Sequence, residues 1–231
     1  RARAAGAVIM GKTVSTEFAY ISPAKTANPH NLEHTPGGSS SGSAAAIGDF
    51  MVPLALGTQT GGSTIRPAAY CGAFGFKPTF NRNPLTGIRP LSVSFDTLGL
   101  IARSVDDLAL LDAGLTGAAA LEPQVVQNKV PRIGYCKTPF WDETEASTRN
   151  ALADAVTALG ANGVAVDEVA LPEEIRELSA GHGLVMSVEA AFAFDHDYRK
   201  HGAALSETLR GLIEAGRTVA PDDVQRFRRV Q

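Results

Sequence analysis

Pro36-Gly-Gly-Ser-Ser-Ser-Gly-Ser-Ala-Ala-Ala46 and, a short way on, Leu56-Gly-Thr-Gln-Thr-Gly-Gly-Ser63 are two turns of small residues, each set against an apolar segment. A Gly/Ser run on its own reads as a flexible linker. The first of these runs leads straight into a small-residue helix from Ala44, and the second follows a short buried strand, Val52-Pro-Leu-Ala-Leu-Gly57. That placement predicts rigid turns, in which small residues let backbone approach a ligand or a second loop with amides facing inward.

Working outward, Arg1-Ala-Arg-Ala-Ala-Gly6 reads as the last turn of a helix ending at glycine, and Ala7-Val-Ile-Met10 as a buried strand. A loop rich in Pro, Asn and His (Pro23–Pro36) precedes the first turn, and Ile65-Arg-Pro-Ala-Ala-Tyr70 follows the second. A helix over Ser104–Leu111 is expected to end near Gly114, followed by a linker through Pro123–Pro131. Then comes a βαβ unit: strand Arg132–Cys136, helix Glu143–Leu159, strand Val164–Val169. Val185–Ala215 reads as helices, and Pro221 opens another that stops before any C-cap. Both chain ends are read as cuts in a longer sequence. Alternating strands and helices predict the α/β class.

With 231 residues, the chain can bury a sizeable core as one large domain or as part of a bigger one. Hydrophobic residues at 44% and charged ones at 19% place it with ordinary globular proteins. A net charge of −3, without a dense basic run, argues against a nucleic-acid partner. Cys71 and Cys136 stand far apart with no C-x-x-C spacing, so neither a disulfide framework nor a metal site is expected, and a reducing cytoplasm is the expected compartment. The most apolar windows are too short and too interrupted for a membrane span, and no signal peptide opens the chain.

Three short patterns match known formulas without the structural setting that gives those formulas meaning. Gly6-Ala-Val-Ile-Met-Gly-Lys-Thr13 fits the P-loop spacing, but its variable positions are strand formers where a phosphate-wrapping turn is needed. Gly38-Ser-Ser-Ser-Gly42 fits the nucleophile-elbow spacing, yet a polar loop, Leu32–Pro36, precedes it in place of a buried strand. Ser22-Pro-Ala-Lys25 fits S-x-x-K and lacks its companion elements.

The ordered combination is far more specific. The two small-residue turns are followed by Arg66-Pro-Ala-Ala-Tyr-Cys-Gly72 and Gly75-Phe-Lys-Pro78. The set strongly resembles the signature region of the amidase signature family of serine hydrolases. The likeness extends back to Gly11-Lys-Thr13, Glu17-Phe-Ala19 and Asn28-Pro29, and forward to Asp96-Thr-Leu-Gly99 and Ala102-Arg-Ser-Val105. Beyond Pro131 only the general βαβ pattern agrees. The resemblance implies an α/β fold with a mixed, mostly parallel sheet core covered by helices. Residues 1–130 would form its core and 131–231 a continuation of the same domain.

It also implies a chemistry: hydrolysis of a carboxamide to acid and ammonia through an acyl-serine, without metal or organic cofactor. Ser63, closing the T-G-G-S turn, would be the nucleophile. Ser39 would relay its proton, held by a cis peptide bond between Gly38 and Ser39. The backbone amides of Thr60, Gly61, Gly62 and Ser63 would form the oxyanion hole. Arg66 stands three residues after the nucleophile, as in a malonamidase-like branch where an arginine holds a substrate carboxylate; a structural ion pair is the other reading of it. Lys77 and Asp96 are read as structural. The family's catalytic lysine lies upstream of Gly11-Lys-Thr13, outside these residues, and Lys12 is not that lysine. The partner expected is a small amide substrate, with a homo-oligomer left open. An inactive scaffolding module and a component of an amidotransferase stand as alternative readings.

Overall fold

A computed structural model describes residues 1–117, 130–172 and 174–230. The linker expected through Pro123–Pro131 falls, apart from its last two residues, outside the described ones. The chain divides into two compact units, Arg1–Pro123 with Leu184–Pro221, and Gln124–Gly183 with Asp222–Gln231.

In the first unit the chain forms α1 (Ser41–Gly48), β1 (Leu54–Gln59), α2 (Ile65–Tyr70), β2 (Phe74–Phe76), β3 (Thr97–Ala102) and α3 (Val105–Thr116). All six residues of β3 are buried. Side chains alternate across a strand, so its two faces meet different partners. Leu98, Leu100 and Ala102 pack with Leu108 and Leu115 of α3. Ile101 packs on the other side with Ala44, Ala45 and Ile47 of α1 and Ala68 of α2. Ser104 caps α3 by accepting from Asp107 N at 3.0 Å, and Gly117 closes its far end at φ 73°.

The helix-covered α/β class is what the chain forms, while the strand directions differ from a mostly parallel sheet. The three-stranded sheet has the order β1-β3-β2, and β3 is antiparallel to both neighbours, from Leu54↔Ala102 to Gln59↔Thr97 and from Phe74↔Ala102 to Phe76↔Leu100. The reason is connectivity. β1, α2 and β2 form a crossover whose two strands run the same way but lie one strand apart, and the loop over residues 77–96 turns the chain back to fill the gap with β3. The strand expected over Ala7–Met10 does not form: Val8 and Met10 are 82% and 76% exposed, and no neighbouring strand among the described residues accepts the ladder.

In the second unit, β4 (Arg132–Lys137), α4 (Ala146–Ala161) and β5 (Ala165–Ala170) realise the expected βαβ unit, paired in parallel from Arg132↔Ala165. The helix starts three residues later than expected because Trp141–Glu143 forms a separate 3-10 turn. The division between units falls within α5 (Ile175–Ala193). It is followed by α6 (Asp195–His201), α7 (Glu207–Thr218) and α8 (Pro221–Val230).

Within the first unit, Ala190, Ala191 and Phe194 from the α5–α6 region pack with Leu209, Leu212 and Ile213 of α7 around Leu91. The Glu189 carboxylate accepts from the hydroxyls of Ser92 and Ser94 and from Ser94 N, fastening the loop before β3. Close packing of α5 on α7 depends on Gly216, where a Cβ would lie 2.0 Å from Ser187 O and 2.3 Å from its carbonyl carbon. Backbone atoms cannot step aside as a side-chain tip can. Gly216→Ala is therefore expected to cost about 3 kcal/mol, the upper part of the overpacking range, as a loss of unfolding free energy in a urea titration. A midpoint equal to that of the unmodified protein would disprove the close approach.

Candidate active site

Ser63 ends the turn between β1 and α2, and Ser39 ends the turn before α1; both are buried, at 8% and 2% exposed. The Gly38–Ser39 peptide bond is cis, as the family resemblance implies. Ser40 N donates to Ser63 O at 3.1 Å, stitching one serine turn to the other, and Thr16 N donates to Ser39 O at 3.0 Å. Among the described residues neither Ser63 Oγ nor Ser39 Oγ has a hydrogen-bond partner, so both hydroxyls are available for chemistry.

Each turn is held from behind. The Gln59 side-chain carbonyl accepts from Thr64 N at 2.9 Å and Ile65 N at 3.0 Å, capping the start of α2 and fixing the backbone that carries Ser63. Thr60 Oγ1 donates to Asp96 Oδ1 at 2.6 Å, while Asp96 Oδ2 accepts from Leu91 N and Ser92 N at 2.8 and 3.1 Å. Asp96 thus ties the turn that carries Ser63 to the loop before β3, in keeping with the structural role read from sequence. On the other turn, Ser41 Oγ donates to Gly37 O at 2.8 Å and Ser43 Oγ to Leu56 O at 2.6 Å. The N–H groups of Gly61, Gly62 and Ser63 have no acceptor among the described residues, the condition in which amides can receive an oxyanion.

Sequence reading missed the device that brings the turns together. Gly57 of β1 and Gly99 of β3 are direct cross-strand partners. A Cβ on Gly57 would lie 2.3 Å from Ser40 Oγ, and one on Gly99 would lie 2.0 Å from Thr64 Oγ1. The glycine pair is a slot in the sheet, filled by the neighbour of Ser39 and the neighbour of Ser63. Thr64 is fully buried there and its hydroxyl has no partner among the described residues. The sequence signal is the glycine that closes the Val52–Gly57 strand pattern, a sign of close backbone approach, whereas no strand is read around Gly99.

Arg66 does not stand in an ion pair among the described residues. Its Nη2 and Nε donate to a single oxygen, Gly38 O, at 2.8 and 3.3 Å. Lys77 Nζ donates to Pro78 O at 2.7 Å. Cys71 lies beneath the first turn with its thiol pushed up to about 11 by burial, which makes it a packing residue with little thiolate character. A cavity of about 590 Å³ opens beside Ser39, lined also by Lys12, Ser40, Ser43, Arg89 and Phe194; Ser63 is not on its wall.

Two buried serines thus stand on touching turns, with unbonded amides around one of them. The family model described as Amidase matches residues 1–226. The chain belongs to the amidase family. It is 34% identical to a glutamyl-tRNA(Gln) amidotransferase subunit of Thermus thermophilus over 98% of this chain and 52% of that one. It is likewise 34% identical to mandelamide hydrolase of Pseudomonas putida, over 90% of this chain and 43% of the hydrolase. Among solved structures, the native peptide amidase of Stenotrophomonas maltophilia superposes with a TM-score of 0.78 at 26% identity, covering 98% of this chain and 56% of that enzyme. The chain spans about half the length of the curated relatives it matches.

Proposed function

We propose that this chain carries the nucleophile, relay and oxyanion hole of an amidase that hydrolyses a small carboxamide to a carboxylic acid and ammonia. The observation that supports it most is the stitching of the Ser39 turn to the Ser63 turn by the Ser40 N to Ser63 O bond. A serine hydroxyl attacks a carbonyl only when a base takes its proton. Ser39 passes that proton from Ser63 toward a neutral lysine, which the family resemblance puts outside these residues. The open cavity on the Ser39 side leaves room for such a side chain to arrive. When the carbonyl carbon becomes tetrahedral, its oxygen takes hydrogen bonds from the amides of Thr60, Gly61, Gly62 and Ser63. Preorganised donors of this kind are worth about 3–4 kcal/mol each in transition-state stabilisation. Collapse expels ammonia as the relay hands its proton to the leaving nitrogen, and water, giving its own proton to the relay, then attacks the acyl-serine and releases the acid as Ser63 is reprotonated.

No metal or organic cofactor enters this scheme. The match over residues 1–226 supports reading 1–130 and 131–231 as parts of one family domain. Among the described residues no helix is long and apolar enough to cross a membrane, and we assign the protein to the cytoplasm on its cysteine usage. A homo-oligomer fits this reading, and nucleic acid has no place in it. Similarity to a component of an amidotransferase favours a second reading, in which the same chemistry releases ammonia within an assembly. Co-purification with partner subunits would decide for it. An inactive scaffold is the third.

The test is to treat the full-length protein with an activated phosphonate, map the adduct by mass spectrometry, and measure ammonia release from aliphatic, aryl and dicarboxylic monoamides. A single adduct on Ser63 together with ammonia release is expected. An adduct elsewhere would end the assignment of Ser63, and absence of both adduct and ammonia would favour the scaffold.

A further inference from the structure

We propose that Arg66 is a positioning residue, whose guanidinium holds the Gly38 carbonyl and thereby sets the Ser39 turn against the nucleophile turn. This rests on the reading of Ser63 as nucleophile and Ser39 as relay. Arg66 lies in the first turn of α2, and its own N–H is fixed to Gly62 O at 2.9 Å. From there the side chain folds back over the oxyanion turn, with Nη1 only 3.4 Å from where a Cβ on Gly62 would sit. Nε and Nη2 then converge on Gly38 O.

A carboxylate is gripped by a guanidinium through two parallel N–H groups reaching two oxygens. The Nε–Nη2 edge is instead occupied by one backbone carbonyl, and no carboxylate of the described residues lies within ion-pair distance of Arg66. The arrangement also shows what the guanidinium supplies at this point. The carbonyls flanking Gly38 have their own donors: Gly37 O takes Ser41 Oγ and Ser39 O takes Thr16 N. Gly38 O has Arg66 alone among the described residues. The Ser40 N to Ser63 O bond ties the turns on one side of Ser39, and Arg66 ties them on the other, so Ser39 is pinned between two bridges that both end on the nucleophile segment.

The experiment uses the full-length protein with Arg66→Ala, Arg66→Lys, Ser39→Ala and the double variant Ser39→Ala/Arg66→Ala. Readouts are kcat and KM for neutral amides and for dicarboxylic monoamides, and the rate of phosphonate labelling of Ser63. A displaced relay predicts that Arg66→Ala lowers kcat and labelling by about 10–100-fold for both substrate types, since a shift near 1 Å is sufficient for such a loss. KM should stay within about twofold, and Arg66→Lys, which keeps one charged donor, should recover part of the rate even if the alanine variant folds poorly. In the Ser39→Ala background the Arg66→Ala change should add less than about twofold, because residues acting through one another are not additive. A rise in KM confined to carboxylate-bearing amides, with labelling unchanged, would overturn the proposal in favour of substrate binding. Full additivity in the double variant would overturn it in favour of a general stabilising role. Failure of the unmodified protein to label at Ser63 would instead remove the amidase reading itself.

Discussion

Ser63→Ala is expected to lower amide hydrolysis by roughly 10⁴–10⁶-fold while leaving the unfolding midpoint close to that of the unmodified protein. Loss of a serine nucleophile removes the covalent route altogether, and what remains is binding and oxyanion stabilisation, as in hydrolases where nucleophile deletion costs about 10⁶ in kcat. Ser39→Ala should be milder, about 10²–10⁴-fold, the range of a proton-transfer group. The double variant should resemble Ser63→Ala alone, because a relay has no function without the group it serves. Single-turnover kinetics on full-length protein would check all three. If Ser39→Ala proved the more damaging change and Ser63→Ala still formed an acyl adduct, the two roles would have to be exchanged.

The second large effect concerns a residue with no chemistry of its own. Gly99→Ala places a Cβ 2.0 Å from Thr64 Oγ1, 2.6 Å from Thr64 Cγ2 and 2.7 Å from Thr64 Cβ, inside a fully buried site. Thr64 has to move, and Ser63 is covalently attached to it. A stability loss of about 3 kcal/mol is expected from overpacking, together with a fall in kcat of about 10²-fold from misplacement of the nucleophile. Adding Thr64→Ala removes the two closest atoms and should return part of both losses, a coupling expected only for residues in direct contact. Denaturant titration and phosphonate labelling of the three variants would test this. Additive behaviour would show that the glycine acts elsewhere.

The serine turns were legible in the sequence because their message is local: small residues in a row, next to apolar segments, state that backbone must come close to something. The βαβ unit was legible for the same reason, since its strand and helix periods each lie within a single segment. Strand direction was not. An apolar run such as Thr97–Ala102 looks the same whichever way it is paired, and its insertion between β1 and β2 is decided by the path of the loop over residues 77–96. Val8–Met10 misled because an apolar run states a preference, whereas a strand also requires a neighbour to accept its hydrogen bonds. Arg66 was ambiguous for a different reason. Its partner is a backbone carbonyl, present at every residue, so the pairing leaves no mark on residue types. The roles of Gly57 and Gly99 depend on register, which is a tertiary property.

The facing glycines have a consequence for how substrate range can change. Because Ser40 and Thr64 are both seated against the same cross-strand pair, the offset between Ser39 and Ser63 is measured from a shared datum inside the sheet. Loops at the mouth of the cavity can lengthen, shorten or swap side chains without redrawing that datum. Change at Ile88 and Arg89 on the cavity wall is thereby uncoupled from the spacing of Ser39 and Ser63. A library varied at those two positions should keep phosphonate labelling of Ser63 across its members.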